Sequence, residues 1–227
     1  MVGRRPSNSR SMSALARLGT LNKARFEAFS DGVFAFAITL LVLGFVLPEM
    51  RNASNHDLTN ALLRLWPNLL AYALSFGVIG IMWQNHHALF RLVERVDRMT
   101  VFLNLLLLGG TAFIPFVTST LGSYPTLRAS TFLYGLALSY CATMYNILLA
   151  HLVRRKAFAP WVTDATVAST IHAYRIGWIG YVAATLLALL FPVVSFAAYL
   201  AIAVYYLVPR GVDADITAGE GPRSGER

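Results

Sequence analysis

Long stretches of this chain carry no Asp, Glu, Lys or Arg. None occurs between Asp31 and Glu49, Arg64 and Arg91, Arg98 and Arg128, Arg128 and Arg154, or Arg175 and Arg210. A helix rises about 1.5 Å per residue and a bilayer core is about 30 Å thick, so about 20 apolar residues span it. Each of the first four stretches holds one span, predicted as helices over 28–47, 65–90, 99–121 and 130–153. The fifth, 176–209, would be about 51 Å long as a single helix. Pro192 divides it near its middle, and a proline inside a helix removes a hydrogen bond and clashes with the preceding turn. Two short helices joined at Phe191-Pro192 are therefore expected. The fold class is an all-α membrane protein with six transmembrane helices in residues 25–209, flanked by disordered arms over 1–24 and 210–227.

The connections set the orientation. Sixteen of the 19 Lys and Arg residues lie before the first span, between the second and third, between the fourth and fifth, or after the sixth. Only Arg51, Arg64 and Arg128 fall on the other side. Positive loops stay in the cytoplasm, so both termini are expected there, on a multi-pass protein of the plasma membrane. The net charge of +8 is then read as loops held against an anionic leaflet rather than as a nucleic-acid surface. The outer connection before the second span reads as a loop of 16 residues with Asn52, Asn55, His56 and Asp57. The inner loop 154–172 is expected to carry a short helix at the membrane surface. Composition agrees with this placement, since 13% of residues are charged against about 25% in soluble domains. The first 24 residues lack an apolar core, so no cleavable signal peptide is expected. Cys141, the single cysteine, falls in the fourth span as a packing residue.

The chain offers little to an enzyme. It has no glycine-rich phosphate loop, no Cys/His metal spacing and no pair of carboxylates inside the membrane. His86 and His87 point about 100° apart on a helix and cannot jointly chelate a metal. One ionisable group stands out: Asp31, at the start of a long apolar run, since charges in lipid are costly and tend to be functional. Its depth matches that of Gln84–His87 and Asn104. The plainer reading is that Ser30 and Asp31 cap the helix start. Arg25 lies about 240° around the helix from Asp31 and is expected to reach another helix. Beyond Asp31, the i, i+4, i+7 spacing of Phe36, Leu40 and Leu43 forms one stripe, with Thr39 beside it. Periodicity leaves open whether that stripe faces a pore, a neighbouring helix or lipid, and base rates favour packing.

The segment from Arg25 through Phe29-Ser30-Asp31 to Thr39 resembles the signature of the potassium channels named after transmembrane protein 175. That signature is an Arg, three residues, then Phe-Ser-Asp. Trp83-Gln-Asn-His-His, Asp97, Asn104 and Pro115-Phe-Val-Thr118 extend the likeness through the third span. The resemblance implies a voltage-insensitive, potassium-selective channel without a carbonyl filter. It also implies a homotetramer whose first helix lines the pore, with potassium as permeant and no other cofactor or metal. The family's pore constriction falls here on Phe36, Leu40 and Leu43, with Thr39 as the polar layer beside them. Phe36 stands where the family usually has Ile. Arg25, Phe29, Ser30, Asp31, His86, His87 and Asn104 fall in a structural polar motif near the inner mouth.

The rival readings are a secondary transporter or proton-leak pathway using Asp31, an intramembrane enzyme, and a non-conducting helix bundle. A lone carboxylate and the lack of an inverted repeat stand against the first. The enzyme would need a nucleophile and base at matching depth.

Overall fold

The computed structural model describes residues 23–50 and 54–207. The arms expected over 1–24 and 210–227 therefore lie almost wholly outside the described residues. Within these bounds the chain is all-helical: α1 (Lys23–Leu40), a 3₁₀ turn (Leu41–Gly44), α2 (Asn55–Arg64), α3 (Trp66–Leu92), α4 (Arg98–Ser123), α5 (Arg128–Arg154), α6 (Asp164–Leu187) and α7 (Pro192–Leu207).

Local chemistry explains most of the boundaries. Ser54 and Asp57 form a reciprocal capping box at the start of α2, which satisfies two orphan backbone donors. Pro67 sits in the first turn of α3, where its missing N–H costs nothing. Asp97 caps α4 by accepting from the Thr100 amide, and Thr163 caps α6 by accepting from the Thr166 amide. Pro192 opens α7 after the turn that follows α6, so the break expected at Phe191-Pro192 is where the chain bends.

Four helical segments are long and apolar enough to cross a membrane: Lys23–Gly44, α3, α4 and α5. The 24 residues of α6 carry Asp164, His172 and Arg175 in the first half, which dilutes its hydropathy. The 16 residues of α7 rise about 24 Å, less than a bilayer core.

Three expectations need correction. The first helix starts at Lys23 rather than 28, and its last turn tightens to 3₁₀ before Phe45. The loop expected on the outside contains α2, a helix with no buried residue whose Leu58, Ala61 and Leu62 share one side. The inner loop has no separate surface helix. Instead Phe158 bridges antiparallel to Val93, with Glu94 donating to Ala157 and Ala159 donating to Leu92, both at 2.8 Å, and α6 begins at Asp164.

The core centres on α4, which packs against α1, α3 and α5, while α6 and α7 pack beyond α5. Phe34, Ile79, Leu107, Ile114, Tyr134 and Leu148 are fully enclosed. Buried hydroxyls tie the bundle together: Thr118 donates to Ser75 at 2.7 Å, Ser75 pairs with Tyr134 at 3.0 Å, and Ser139 pairs with Thr185 at 2.9 Å. Between α5 and α7, a Cβ on Gly135 would collide with the Tyr199 ring, so only glycine permits that approach.

Candidate pore helix and its polar clamp

Helix α1 has two faces. Phe26, Ser30, Phe34 and Ala37, with Leu41 just beyond, are buried, a spacing that keeps one side against α3 and α4. The other side is open. Phe29, Phe36, Leu43 and Val46 are 56%, 63%, 69% and 71% exposed, Thr39 is exposed among them, and Gly32 has empty space where a Cβ would stand. Five of these six positions are apolar or glycine, so the open face is not one that seeks water.

Of the stripe expected at Phe36, Leu40 and Leu43, the first and last lie on this face and Leu40 is half-buried on its flank. The Thr39 hydroxyl donates to the Phe36 carbonyl at 2.8 Å. Its proton is thereby committed to the backbone, and its lone pairs remain for a cation or water.

The buried face is held by a directed hydrogen-bond chain. His86 Nε2 donates to Asn104 Oδ1 at 2.9 Å, Asn104 Nδ2 donates to Ser30 Oγ at 2.9 Å, and Ser30 Oγ donates to the Phe26 carbonyl at 3.0 Å. Asn104 and Ser30 each accept from one neighbour and donate to the next, so α1, α3 and α4 meet at one polar site. The His86 ring is walled by Phe26, Phe34 and Phe90, with centroids 6.4, 5.3 and 4.6 Å away.

Asp31 stands apart from that chain and accepts from the Trp83 indole at 2.9 Å. It lies eight residues into α1, so Ser30 and Asp31 do not cap the helix start. His87 is exposed and stacks on Trp83 at 6.1 Å. Arg25 and Phe29 are exposed, and Arg25 has no ion pair among the described residues. The seven motif residues thus divide. Ser30, His86 and Asn104 make one buried cluster, Asp31 and His87 meet through Trp83, and Arg25 and Phe29 face outward.

A third cluster, at the start of α4 and the end of α5, was not expected. Asp97 accepts from the Thr100 amide and hydroxyl at 2.7 Å each, with His151 Nε2 at 3.1 Å and Arg155 Nε at 3.3 Å. Burial pushes its carboxyl up, but the Thr100 and His151 hydrogen bonds hold it well below the usual carboxylate range. Separately, Lys23 donates to the Val93 carbonyl at 2.6 Å and lies 3.6 Å from Glu27. Among the described residues, no group of three His, Cys, Asp or Glu side chains is placed to hold a metal ion.

An all-helical bundle whose first helix turns an apolar face away from its own subunit, while a polar clamp fixes the opposite face, has the form of an oligomeric membrane protein. Comparison narrows the class. The family model described as endosomal/lysosomal potassium channel TMEM175 matches residues 25–115. A potassium channel of Streptomyces collinus is 39% identical over 187 residues, 80% of this chain and 90% of that one. The crystal structure of a lysosomal potassium-selective channel TMEM175 homolog from Chamaesiphon minutus superposes with a TM-score of 0.72 at 34% identity, covering 82% of this chain and 96% of that one. The human endosomal/lysosomal proton channel TMEM175 is 33% identical over 145 residues, 58% of this chain and 29% of that longer protein. This chain belongs to the TMEM175 family of ion channels.

Proposed function

We propose that this protein is a potassium-selective, voltage-insensitive channel, assembled as a homotetramer around an axis lined by α1. In this reading it crosses the plasma membrane six times, α6 and α7 completing the spans, with both termini in the cytoplasm. The observation that carries the proposal is the open face of α1. Apolar side chains 63% and 69% exposed at Phe36 and Leu43 sit on a helix whose other face is clamped to its own subunit. Four such faces around an axis stack Phe36, Leu40 and Leu43 into apolar rings, with the Thr39 oxygens as a polar layer between them. Narrow apolar rings hold back water, so an ion must shed hydration to pass, and gating follows from their width. The clamp of Ser30, Asn104 and His86, with the Asp31–Trp83 bond beside it, positions α1 and does not select ions. Potassium is the permeant, and no cofactor is required.

A second reading has one observation in its favour: the human relative is named as a proton channel. Here Asp31, half-exposed beside the open face, would carry protons in a leak or coupled transport. Purified protein in liposomes separates the two. A channel for potassium lets the ion run down its gradient with no exchanged substrate and with sodium flux several-fold lower. Potassium flux absent from well-folded tetramers, with proton flux present, would establish the second reading instead.

A further inference from the structure

A cavity of about 70 Å³ lies inside each subunit, between α3, α5, α6 and α7. Its wall is apolar at Val78, Ile81, Leu138 and Ala142, and Trp178 stands at its exposed rim. Three residues of its lining carry polar side-chain groups with no hydrogen-bond partner among the described residues: the Asn85 carboxamide, Asn146 Oδ1 and the Tyr181 hydroxyl. None of the three is fully enclosed, because every fully enclosed polar side-chain atom among the described residues is paired. A polar group in an apolar setting costs free energy until something hydrogen-bonds to it. The volume has room for roughly five waters by the measure of about 10–15 Å³ each, or for one molecule of similar bulk.

The lining selects the chemistry of that molecule. No Asp, Glu, Lys, Arg or His lines the cavity, so a charged ligand would lack a counter-charge. The donors and acceptors of Asn85, Asn146 and Tyr181 suit a hydroxyl or amide, and the remaining wall suits a short hydrocarbon or an aromatic ring. The exposed edge of Trp178 gives access from the side of the bundle. We propose that this cavity is an intrasubunit binding site for a small uncharged amphiphile, a short alcohol or amide that reaches it from the bilayer, and that its occupancy acts on α1 through α3.

The coupling has a short route. Tyr145 donates to the Met82 carbonyl at 2.5 Å and Tyr174 to the Asn85 carbonyl at 3.2 Å. Trp83 and His86, each the next residue along that same turn of α3, hold Asp31 and the Asn104–Ser30 pair. Cavity and clamp therefore grip two sides of one helical turn. The coupling half of the proposal rests on the channel reading, and the binding half does not.

The test uses full-length protein in liposomes and a diazirine-bearing butanol as photolabel. Labelling should map to the Met82–Asn85 and Tyr145–Asn146 peptides and fall at least about fivefold under excess unlabelled butanol. Ala142→Phe fills the cavity and should abolish this saturable component. Tyr181→Phe, which keeps the volume and removes one anchor, should weaken it at least about threefold even if the larger change harms folding. Label confined to outward-facing residues such as Phe102 and Phe113, or saturable label unchanged in both variants, overturns the site. Unlabelled butanol should also change potassium flux at least about twofold in wild type and not in Tyr181→Phe at the same dose. Saturable labelling with identical flux responses would overturn the coupling. Absence of any potassium flux from the protein would defeat the channel reading while leaving the binding result intact.

Discussion

The Trp83 indole N–H points at Asp31 across 2.9 Å and 52 residues of sequence, which makes a tryptophan, not a basic residue, the side-chain partner of Asp31 among the described residues. An Arg or Lys partner buried against Asp31 would make Asp31→Ala cost about 3–5 kcal/mol. With a neutral donor at a half-exposed site, the loss should be about 1 kcal/mol, and Asp31→Asn, which keeps the acceptor, should cost less. Thermal unfolding of detergent-solubilised protein reads the difference. A loss above about 3 kcal/mol in Asp31→Ala would mean that assembly brings a buried cation to Asp31, and Arg25 of a neighbouring subunit would be the first candidate.

Asn104 is the residue on which the clamp depends, since its amide accepts from His86 and donates to Ser30 at once. Asn104→Leu leaves both groups buried with one partner fewer and should cost about 2–4 kcal/mol. Ser30→Ala removes only the acceptor for Asn104 Nδ2 and should cost about 1–2 kcal/mol. If the two groups act through the bond between them, the double variant falls short of the sum by about 1 kcal/mol. Full additivity in chemical or thermal unfolding would show that the contact contributes nothing of its own.

Much of this arrangement was legible in the sequence, and the gaps have physical causes. Charge-free runs located the long helices, and Pro192 located the break between α6 and α7 because a proline interrupts a helix wherever it falls. A hydropathy reading passes over a ten-residue amphipathic helix such as α2, yet the Ser54-x-x-Asp57 spacing is a visible capping signal. Leu40 was grouped with Phe36 on spacing, but it lies about 40° past Phe36 while Thr39 lies about 60° on the other side. The open face centres between Phe36 and Thr39, so Leu40 becomes its flank. His151 and Arg155 met Asp97 only in three dimensions, because no local pattern links residues 54 positions apart. Trp83 was hidden by its apolar character, although a tryptophan near charge usually spends its N–H.

The Asp97 cluster gives a dependence on pH. The Asp97 carboxyl is held below its ordinary value in the folded protein. Its stabilisation is therefore fully present above the unfolded carboxylate range, near 4, and is lost as pH falls through the folded value. Unfolding temperature should be insensitive to Asp97 between about pH 5 and 7 and should drop in stronger acid. Asp97→Asn should lower stability at neutral pH and flatten that acid limb. Wild type and variant running parallel from pH 7 down to 3 would show that Thr100, His151 and Arg155 do not hold the carboxylate as described.

The open face of α1 makes the sharpest demand. If Phe36 and Leu43 ring a central axis, replacing either with Asn gives a passing ion oxygen partners and removes the dewetting barrier. Potassium flux into liposomes should then rise several-fold, and preference over sodium should fall. Thr39→Val removes the lone pairs left facing outward once the hydroxyl proton is bound to the Phe36 carbonyl. Its volume hardly changes, so selectivity should weaken without a large gain in flux. Leu40→Asn should act more weakly than Leu43→Asn, because Leu40 is half-buried while Leu43 is 69% exposed. Ile179→Ala serves as the control, since Ile179 is 57% exposed on α6, a helix that does not touch α1. All variants are compared at equal protein density after tetramers are verified by size. Unchanged flux in both the Phe36 and Leu43 variants would place the pore elsewhere. A response in Ile179→Ala as large as theirs would mean that any exposed apolar residue gives the effect, and α1 would lose its special role.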